Sequence, residues 1–427
     1  MLKKEEIIKK INCGDFDETL KYLYVTEDAG KQRDRYLSVI NGYEEVYGNA
    51  DELALFSAPG RTEIGGNHTD HQHGCIIAGS VNIDIIAAVS FNNENVVRIK
   101  SKGYKMDEIS LDDLEIHPEE YDKAISLIRG VIKKVSDMGY EVKGFNAYTE
   151  SNVMKGSGLS SSAAFEVLTG TILNGLFADG EISPVEIAKI GQYAENFYYN
   201  KPCGLLDEMA SSVGAVVAVD FKDNANPIVN KVDFNLADYD HSLCIIDSGA
   251  DHADLTYEYA AVTEEMRLIS NFFGKDYLRE VDRAEFMANL KEIRKSINND
   301  RAVLRAIHYF NDSDRAVAQT EAVKKGDFNE FLRINRESGR SSFMYLQNVY
   351  SSAMPTAQAV SLTLALCDEF LGDRGSFRVH GGGFAGTVQA FVPNDMVDEF
   401  KSKIEAVLGE GMCHILSIRP VGGYRLV

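Results

Sequence analysis

The segment Lys155-Gly156-Ser157-Gly158-Leu159-Ser160-Ser161-Ser162-Ala163-Ala164 joins glycines, serines and a cation within ten residues. Glycines let a backbone approach a ligand closely and turn its N–H groups inward. The serines then open a helix, whose N-terminus offers free donors and the positive end of a dipole to an anion. Lys155 adds a positive charge. The chemistry this predicts is phosphate binding; the plainer alternative is a flexible Gly/Ser loop before a well-capped helix. The Walker pattern GxxxxGK[ST] is absent.

A second stretch, Ala58-Pro59-Gly60-Arg61-Thr62-Glu63-Ile64-Gly65-Gly66-Asn67-His68-Thr69-Asp70-His71-Gln72-His73-Gly74, crowds polar groups between two strand-like segments. Asn67, His68 and Asp70 suit hydrogen bonds to sugar hydroxyls, with Arg61 facing a phosphate. Alternatively His68, Asp70, His71 and His73 ligate zinc, or the segment is a polar surface loop. In Pro202-Cys203-Gly204-Leu205-Leu206-Asp207-Glu208, an acid in an apolar, glycine-marked turn is a candidate base, because burial and neighbours tune its pKa. In His380-Gly381-Gly382-Gly383-Phe384-Ala385-Gly386-Thr387, three successive glycines in a strand context imply close backbone approach to a ligand or another loop, or a tight turn.

Regular elements must hold these segments. Tyr36, Ile40, Tyr43 and Tyr47 line one face of a helix within residues 1–50. Strands are expected at Ala54–Ser57, Ile83–Val89 and Val96–Ile99, the second apolar enough to be buried on both faces. Ala164, Leu168, Ile172 and Leu176 predict a helix over Ser160–Phe177. Ser183-Pro184-Val185-Glu186 reads as a capping box opening another helix through Phe197. The polar run 222–227 suggests a domain boundary, and the span to Pro355 is largely helical in pattern. Strands return at Phe377–His380 and Thr387–Val392. The expected fold is α+β with two domains, 51–225 and 226–427, behind a helical extension at 1–50.

Composition bounds the partners. Among 427 residues, 44 Lys and Arg face 65 Asp and Glu, a net charge of −21. That field repels nucleic acid and anionic membranes, so an anionic ligand needs a local exception. No apolar run reaches the length of a signal peptide or a membrane span. The six cysteines form no C-x-x-C pair, which points to a reduced, cytoplasmic protein.

Together and in this order, the four segments resemble the GHMP small-molecule kinases and, within them, the galactokinases, from about residue 54 to the C-terminus. APGRTEIGGNHTDHQHG is similar to the sugar signature, GSGLSSSAA to the phosphate loop, CGLLDE to the base segment and HGGGFAGT to the third motif. The resemblance implies a two-domain kinase with its site in the cleft, using ATP and Mg2+ to phosphorylate a sugar at the anomeric hydroxyl, as a monomer or weak homodimer. It implies roles residue by residue. Asp207 faces the 1-hydroxyl, and Arg61 holds that aspartate ionised. Ser162 and Glu195 ligate magnesium. Lys155 and Gly156 to Ser162 (Gly156, Ser157, Gly158, Leu159, Ser160, Ser161, Ser162) hold nucleotide phosphates. Asn67, His68, Asp70, Cys203, Gly204 and Tyr259 line the sugar.

The chain also departs from that family. Asn67 stands for a glutamate that contacts the 6-hydroxyl, Glu63 for an asparagine, His71 for a tyrosine and Met154 for a proline. The arginines after the Tyr259 position are missing. Galactose is therefore the first expectation and galacturonate its competitor, with a sugar and nucleotide sensor lacking turnover as the non-enzymatic alternative.

Overall fold

The chain starts with a short strand, β1 (Leu2–Lys3), and three helices, α1 (Lys4–Cys13), α2 (Asp17–Tyr24) and α3 (Gly30–Tyr47). Two long antiparallel strands follow, β2 (Glu52–Gly65) and β3 (Cys75–Phe91). A computed structural model describes every residue except 154–157, 202 and 251–254. Its first half continues with β4 (Val96–Ser101), β5 (Met106–Ser110), α4 (Ala124–Asp137), β6 (Phe145–Ser151), α5 (Ser161–Phe177), α6 (Pro184–Tyr193), α7 (Leu206–Val213), β7 (Val216–Asp220) and β8 (Ile228–Val232). Among the described residues the first sheet has the order β1-β2-β3-β6-β4-β5. β7 is added to β3 and β8 to β7. β3 serves two partners: residues 75–79 pair with β7 and residues 85–91 with β6.

Alternation between two covered faces explains why 53–56 of β2 and 85–89 of β3 are apolar. Phe56, Ala58, Ile85, Ala87 and Val89 face α4, α5 and α6, packing with Val131, Val167 and Ile190. Their sequence neighbours Leu53, Leu55, Ile86 and Ala88 face the opposite way, onto Ile7, Leu20, Tyr36, Val39 and Ile40 of α1 to α3. A strand covered on both faces has no polar side to show. The N-terminal extension thus covers the sheet face opposite α4, α5 and α6. The expected helix face through Tyr36, Ile40, Tyr43 and Tyr47 lies in α3.

The second half adds β9 (His241–Asp247), then five helices: α8 (Thr256–Phe272), α9 (Arg283–Ala288), α10 (Leu290–Ile297), α11 (Asp300–Lys324) and α12 (Phe328–Ser341). α13 (Ala359–Leu371), β10 (Ser376–Val379), β11 (Thr387–Pro393), α14 (Val397–Leu408), β12 (Cys413–Leu416) and β13 (Tyr424–Arg425) complete it. Its sheet is antiparallel, in the order β10-β11-β9-β12. The fold is α+β with two sheets, as expected.

The polar run 222–227 is a turn between β7 and β8, which pair antiparallel in one sheet, so the chain changes sheet after Val232 rather than at residue 225. β13 returns to pair with β2, which ties the C-terminus into the first sheet. All six cysteines are free thiols. Among the described residues no helix is long and apolar enough to cross a membrane.

Candidate active site

Arg61 lies just past a register shift in the β2–β3 ladder. Such a shift re-aims side chains. Arg61 Nε donates to Asp207 Oδ1 at 2.6 Å and Nη2 to Oδ2 at 2.7 Å. Asp207 sits in the first turn of α7. Arg61 also donates through Nη1 to the Gly158 carbonyl and through its backbone N–H to the Leu159 carbonyl. Arg61 is buried, while the Asp207 side chain stays 34% exposed. Burial alone would raise the Asp207 pKa, but the Arg61 guanidinium and a hydrogen bond from Ser160 hold it below the usual aspartate value. One arginine therefore fixes the carboxylate and the phosphate loop together.

The helix expected after that loop is α5. Ser160, just ahead of it, has a left-handed φ of 53° and makes no side-chain cap, which leaves the first-turn N–H groups uncapped by it. This is the arrangement an anion needs. Gly158 abuts the second half of the chain: a Cβ there would lie 2.7 Å from Thr387 Oγ1 and 3.0 Å from His380 Nδ1. His380 in turn reaches Thr387 through Nδ1 at 2.9 Å and Thr62 through Nε2 at 3.1 Å. Lys155, Gly156 and Ser157 lie outside the described residues.

A group of acids adjoins Asp207. Glu166 follows Ser162 by one turn of α5, Glu195 lies in a π-turn (Ala194–Tyr198) after α6, and Glu208 follows Asp207. All three are buried. Among the described residues, both Glu166 carboxylate oxygens and Glu208 Oε2 meet no hydrogen-bond partner. Burial and mutual repulsion push Glu166 and Glu208 well above the usual glutamate range. Among the described residues, Glu195, Cys203 and Glu208 are the set of His, Cys or acid side chains close enough to share one ion, with ligand atoms within 4.8 Å of each other. Orphaned carboxylate oxygens suit a hard divalent cation such as magnesium. The sequence reading missed Glu166, Glu208 and Lys201. Glu166 was legible as the i+4 neighbour of Ser162.

On the other side of Asp207, Asp70 heads a 3₁₀ turn (Asp70–Gln72). Burial and the nearby Asp207 charge raise its pKa to about 6. Gly204 is required here, since a Cβ on it would fall 1.7 Å from Asp70 Oδ2. His68 Nε2 lies 2.9 Å from the Gly382 carbonyl, and burial lowers its pKa to about 4, so the ring is neutral. The Tyr259 hydroxyl donates to the Gly383 carbonyl at 2.9 Å. A Cβ on Gly382 would lie 2.6 Å from the Tyr259 ring, which explains a glycine there. Asp70, with Gly204 against it, thus lies near Asp207, while His68 and Tyr259 are held by the glycine run 381–383. The His71 ring centroid is 5.9 Å from that of His68, and both His71 nitrogens lack partners.

Two expected sugar contacts are placed otherwise. Asn67 is fully buried. Its amide donates to Glu63 Oε1 at 2.9 Å and to the Gly381 carbonyl at 2.8 Å, and its oxygen accepts from Asn348 at 2.8 Å and Ser342 at 3.3 Å. With its hydrogen-bonding capacity used, Asn67 ties β2 to the second half of the chain instead of facing a ligand. Glu63 joins it by pairing with Arg378 at 2.6 Å. The Cys203 thiol turns toward Glu208, 3.9 Å away, on the acid side. The zinc reading loses its ligand set as well: His73 stacks on Tyr277 at 3.7 Å while His68 turns to Gly382.

Comparison with known proteins agrees with this layout. Residues 126–215 match the GHMP kinases N terminal domain, and residues 41–91 match the galactokinase galactose-binding signature. The galactokinase of Glaesserella parasuis serovar 5 is 28% identical over 372 residues, 85% of this chain and 91% of that protein. That of Actinobacillus pleuropneumoniae serotype 3 is 29% identical over 373 residues, 84% and 90%. Lactococcus lactis galactokinase, solved with galactose, superposes with a TM-score of 0.77 at 23% identity, covering 91% of this chain and 99% of that one. Methanococcus jannaschii mevalonate kinase superposes with a TM-score of 0.57 at 13% identity, covering 87% and 99%. These two likenesses speak to fold alone; the sequence matches show a chain that carries a GHMP kinase N-terminal domain region and the galactokinase galactose-binding signature.

Proposed function

We propose that this protein is a galactokinase, transferring the γ-phosphoryl group of ATP to the anomeric hydroxyl of D-galactose to give galactose 1-phosphate and ADP. The observation that carries the reading is the bidentate Arg61–Asp207 pair. It stands between the start of α5 and the Asp70 turn, inside a chain matching the galactose-binding signature. Phosphoryl transfer asks the protein for positioning and charge more than for covalent chemistry. Asp207, held ionised, accepts the hydrogen bond of the sugar 1-hydroxyl and aims its oxygen. Its depressed pKa makes it a weak base, so it takes the proton late, as the new O–P bond forms. Asp70 accepts from neighbouring hydroxyls, and Gly204 keeps the space that this needs. Arg61 and the first turn of α5 hold positive potential where the phosphates lie. Ser162 and Glu195 would hold magnesium, with Glu166 and Glu208 beside them. When bound, magnesium neutralises charge on the phosphate oxygens.

An assay of ADP release over galactose, galacturonate, glucose and mannose tests the reading. The expected result is the highest kcat/KM with galactose. Faster turnover of galacturonate would reassign the substrate. Binding of sugar and nucleotide without ADP release would make the protein a sensor.

A further inference from the structure

Among the described residues, Lys201 is the cation that pairs with Glu195. Its Nζ lies 2.8 Å from Glu195 Oε1, and its backbone N–H donates to the Glu195 carbonyl at 3.1 Å. The two partners differ in setting: the Lys201 side chain is 59% exposed and that of Glu195 only 4%. Around Glu195 are Glu208, within 4.8 Å by its carboxylate, and Glu166, whose two buried oxygens meet no donor. Buried carboxylates without donors are costly unless a cation compensates them. On the magnesium-dependent kinase reading, which this inference rests on, Glu195 must give its oxygen to the metal. An ammonium held on Glu195 Oε1 and a divalent ion on the same carboxylate repel each other across a short, poorly solvated distance.

We propose that Lys201 is a built-in counter-cation, a positioning residue that occupies Glu195 while the metal is absent and yields it when magnesium arrives with the nucleotide. Its exposed stem lets the ammonium swing away with no rearrangement of the core, whereas buried Glu195 stays in place. The exchange keeps the carboxylate group compensated in both states. It also makes magnesium compete with an internal cation, so Lys201 sets the metal concentration at which the site fills.

The test is ADP binding by calorimetry on the whole protein across a magnesium series, together with thermal unfolding in EDTA. In Lys201→Met, half-maximal promotion of ADP binding should need roughly two- to fivefold less magnesium, the range set by a partly exposed ion pair. Its Tm in EDTA should fall, and saturating magnesium with ADP should close that gap. Lys201→Arg should retain wild-type behaviour. In a Glu195→Gln background, Lys201→Met should leave the magnesium midpoint unchanged, since the contested negative charge is gone. An unaltered or higher midpoint in Lys201→Met overturns the proposal. So does an equal Tm loss with and without magnesium, which marks an ordinary surface ion pair. Galactose-dependent ADP release with magnesium-independent ADP binding also overturns it, while leaving the kinase reading intact. Absence of ADP release with every sugar, by contrast, is the failure of that reading.

Discussion

Two aspartate–arginine clusters flank the same pair of strands and are built oppositely. Asp84, on β3, is fully buried; it receives Arg35 at 2.8 Å and Arg419 at 3.1 Å, the Tyr24 hydroxyl at 2.6 Å and the Ser57 hydroxyl at 2.5 Å. Its partners come from α2, α3, β2 and the segment after β12, so one carboxylate fastens the N-terminal extension to the C-terminal end. Asp207 has one arginine, keeps a third of its side chain open, and is bordered by acids whose oxygens lack donors. The first cluster is saturated and can only hold the fold. The second is deliberately incomplete, and what would complete it is a sugar hydroxyl on one side and a cation with phosphates on the other. An identical pair of residue types is structural or chemical according to how many of its hydrogen bonds the protein itself supplies.

Substitutions separate the two roles. The largest effect is expected for Asp207→Ala, which should lower kcat by about 10³-fold or more while circular dichroism stays native and Tm falls, because buried Arg61 loses its carboxylate. Near-normal kcat would remove Asp207 from the chemistry. Asp84→Asn should do the opposite. Buried Arg419 and partly exposed Arg35 lose their charge partner, and urea titration should show a loss of about 3–5 kcal/mol, with kcat of the folded fraction unchanged. A smaller loss, about 10²-fold in kcat, is expected for Arg61→Lys, because a single ammonium cannot hold Asp207 and the phosphate loop as the planar fork does. Equal kcat in Arg61→Lys would show that the fork geometry is unused.

The smallest effect concerns pH. Asp70 titrates near 6 in the folded protein, above its ordinary value of 3.8. Its charged form is therefore the disfavoured one, and the sugar-free protein gains stability as pH falls through that window. Sugar binding needs the carboxylate as an acceptor, so KM for the sugar should rise a few-fold below about pH 6. kcat should hold there, since Asp207 remains ionised. In Asp70→Asn the KM rise below pH 6 should vanish; its persistence would assign the titration elsewhere.

Much of the fold was legible. Period-four apolar spacing marked α3 and α5, and continuous apolarity marked β3, because burial on one stripe or on both faces leaves a local pattern. The run 222–227 misled because polar, turn-forming residues serve a hairpin as well as a boundary. Ser183 does cap α6 by accepting from Glu186 N at 3.2 Å. Asn67 shows the opposite limit: its segment pointed to a ligand, but its partners Asn348, Ser342 and Gly381 are 275 or more residues away in the chain.

The sequence by itself determined which chemistry is present: the glycine and serine run before a helix, the order of the four motifs, and Arg61 and Asp207 as reactive candidates. Those features are local, set by residue type and short spacing. The tertiary structure alone decided which groups are satisfied and which are left open. It closed Asn67 and Asp84 with protein partners, and it buried Glu166 and Glu208 beside Glu195, which Lys201 reaches. Satisfaction depends on who arrives from distant segments, and no window of sequence contains that information.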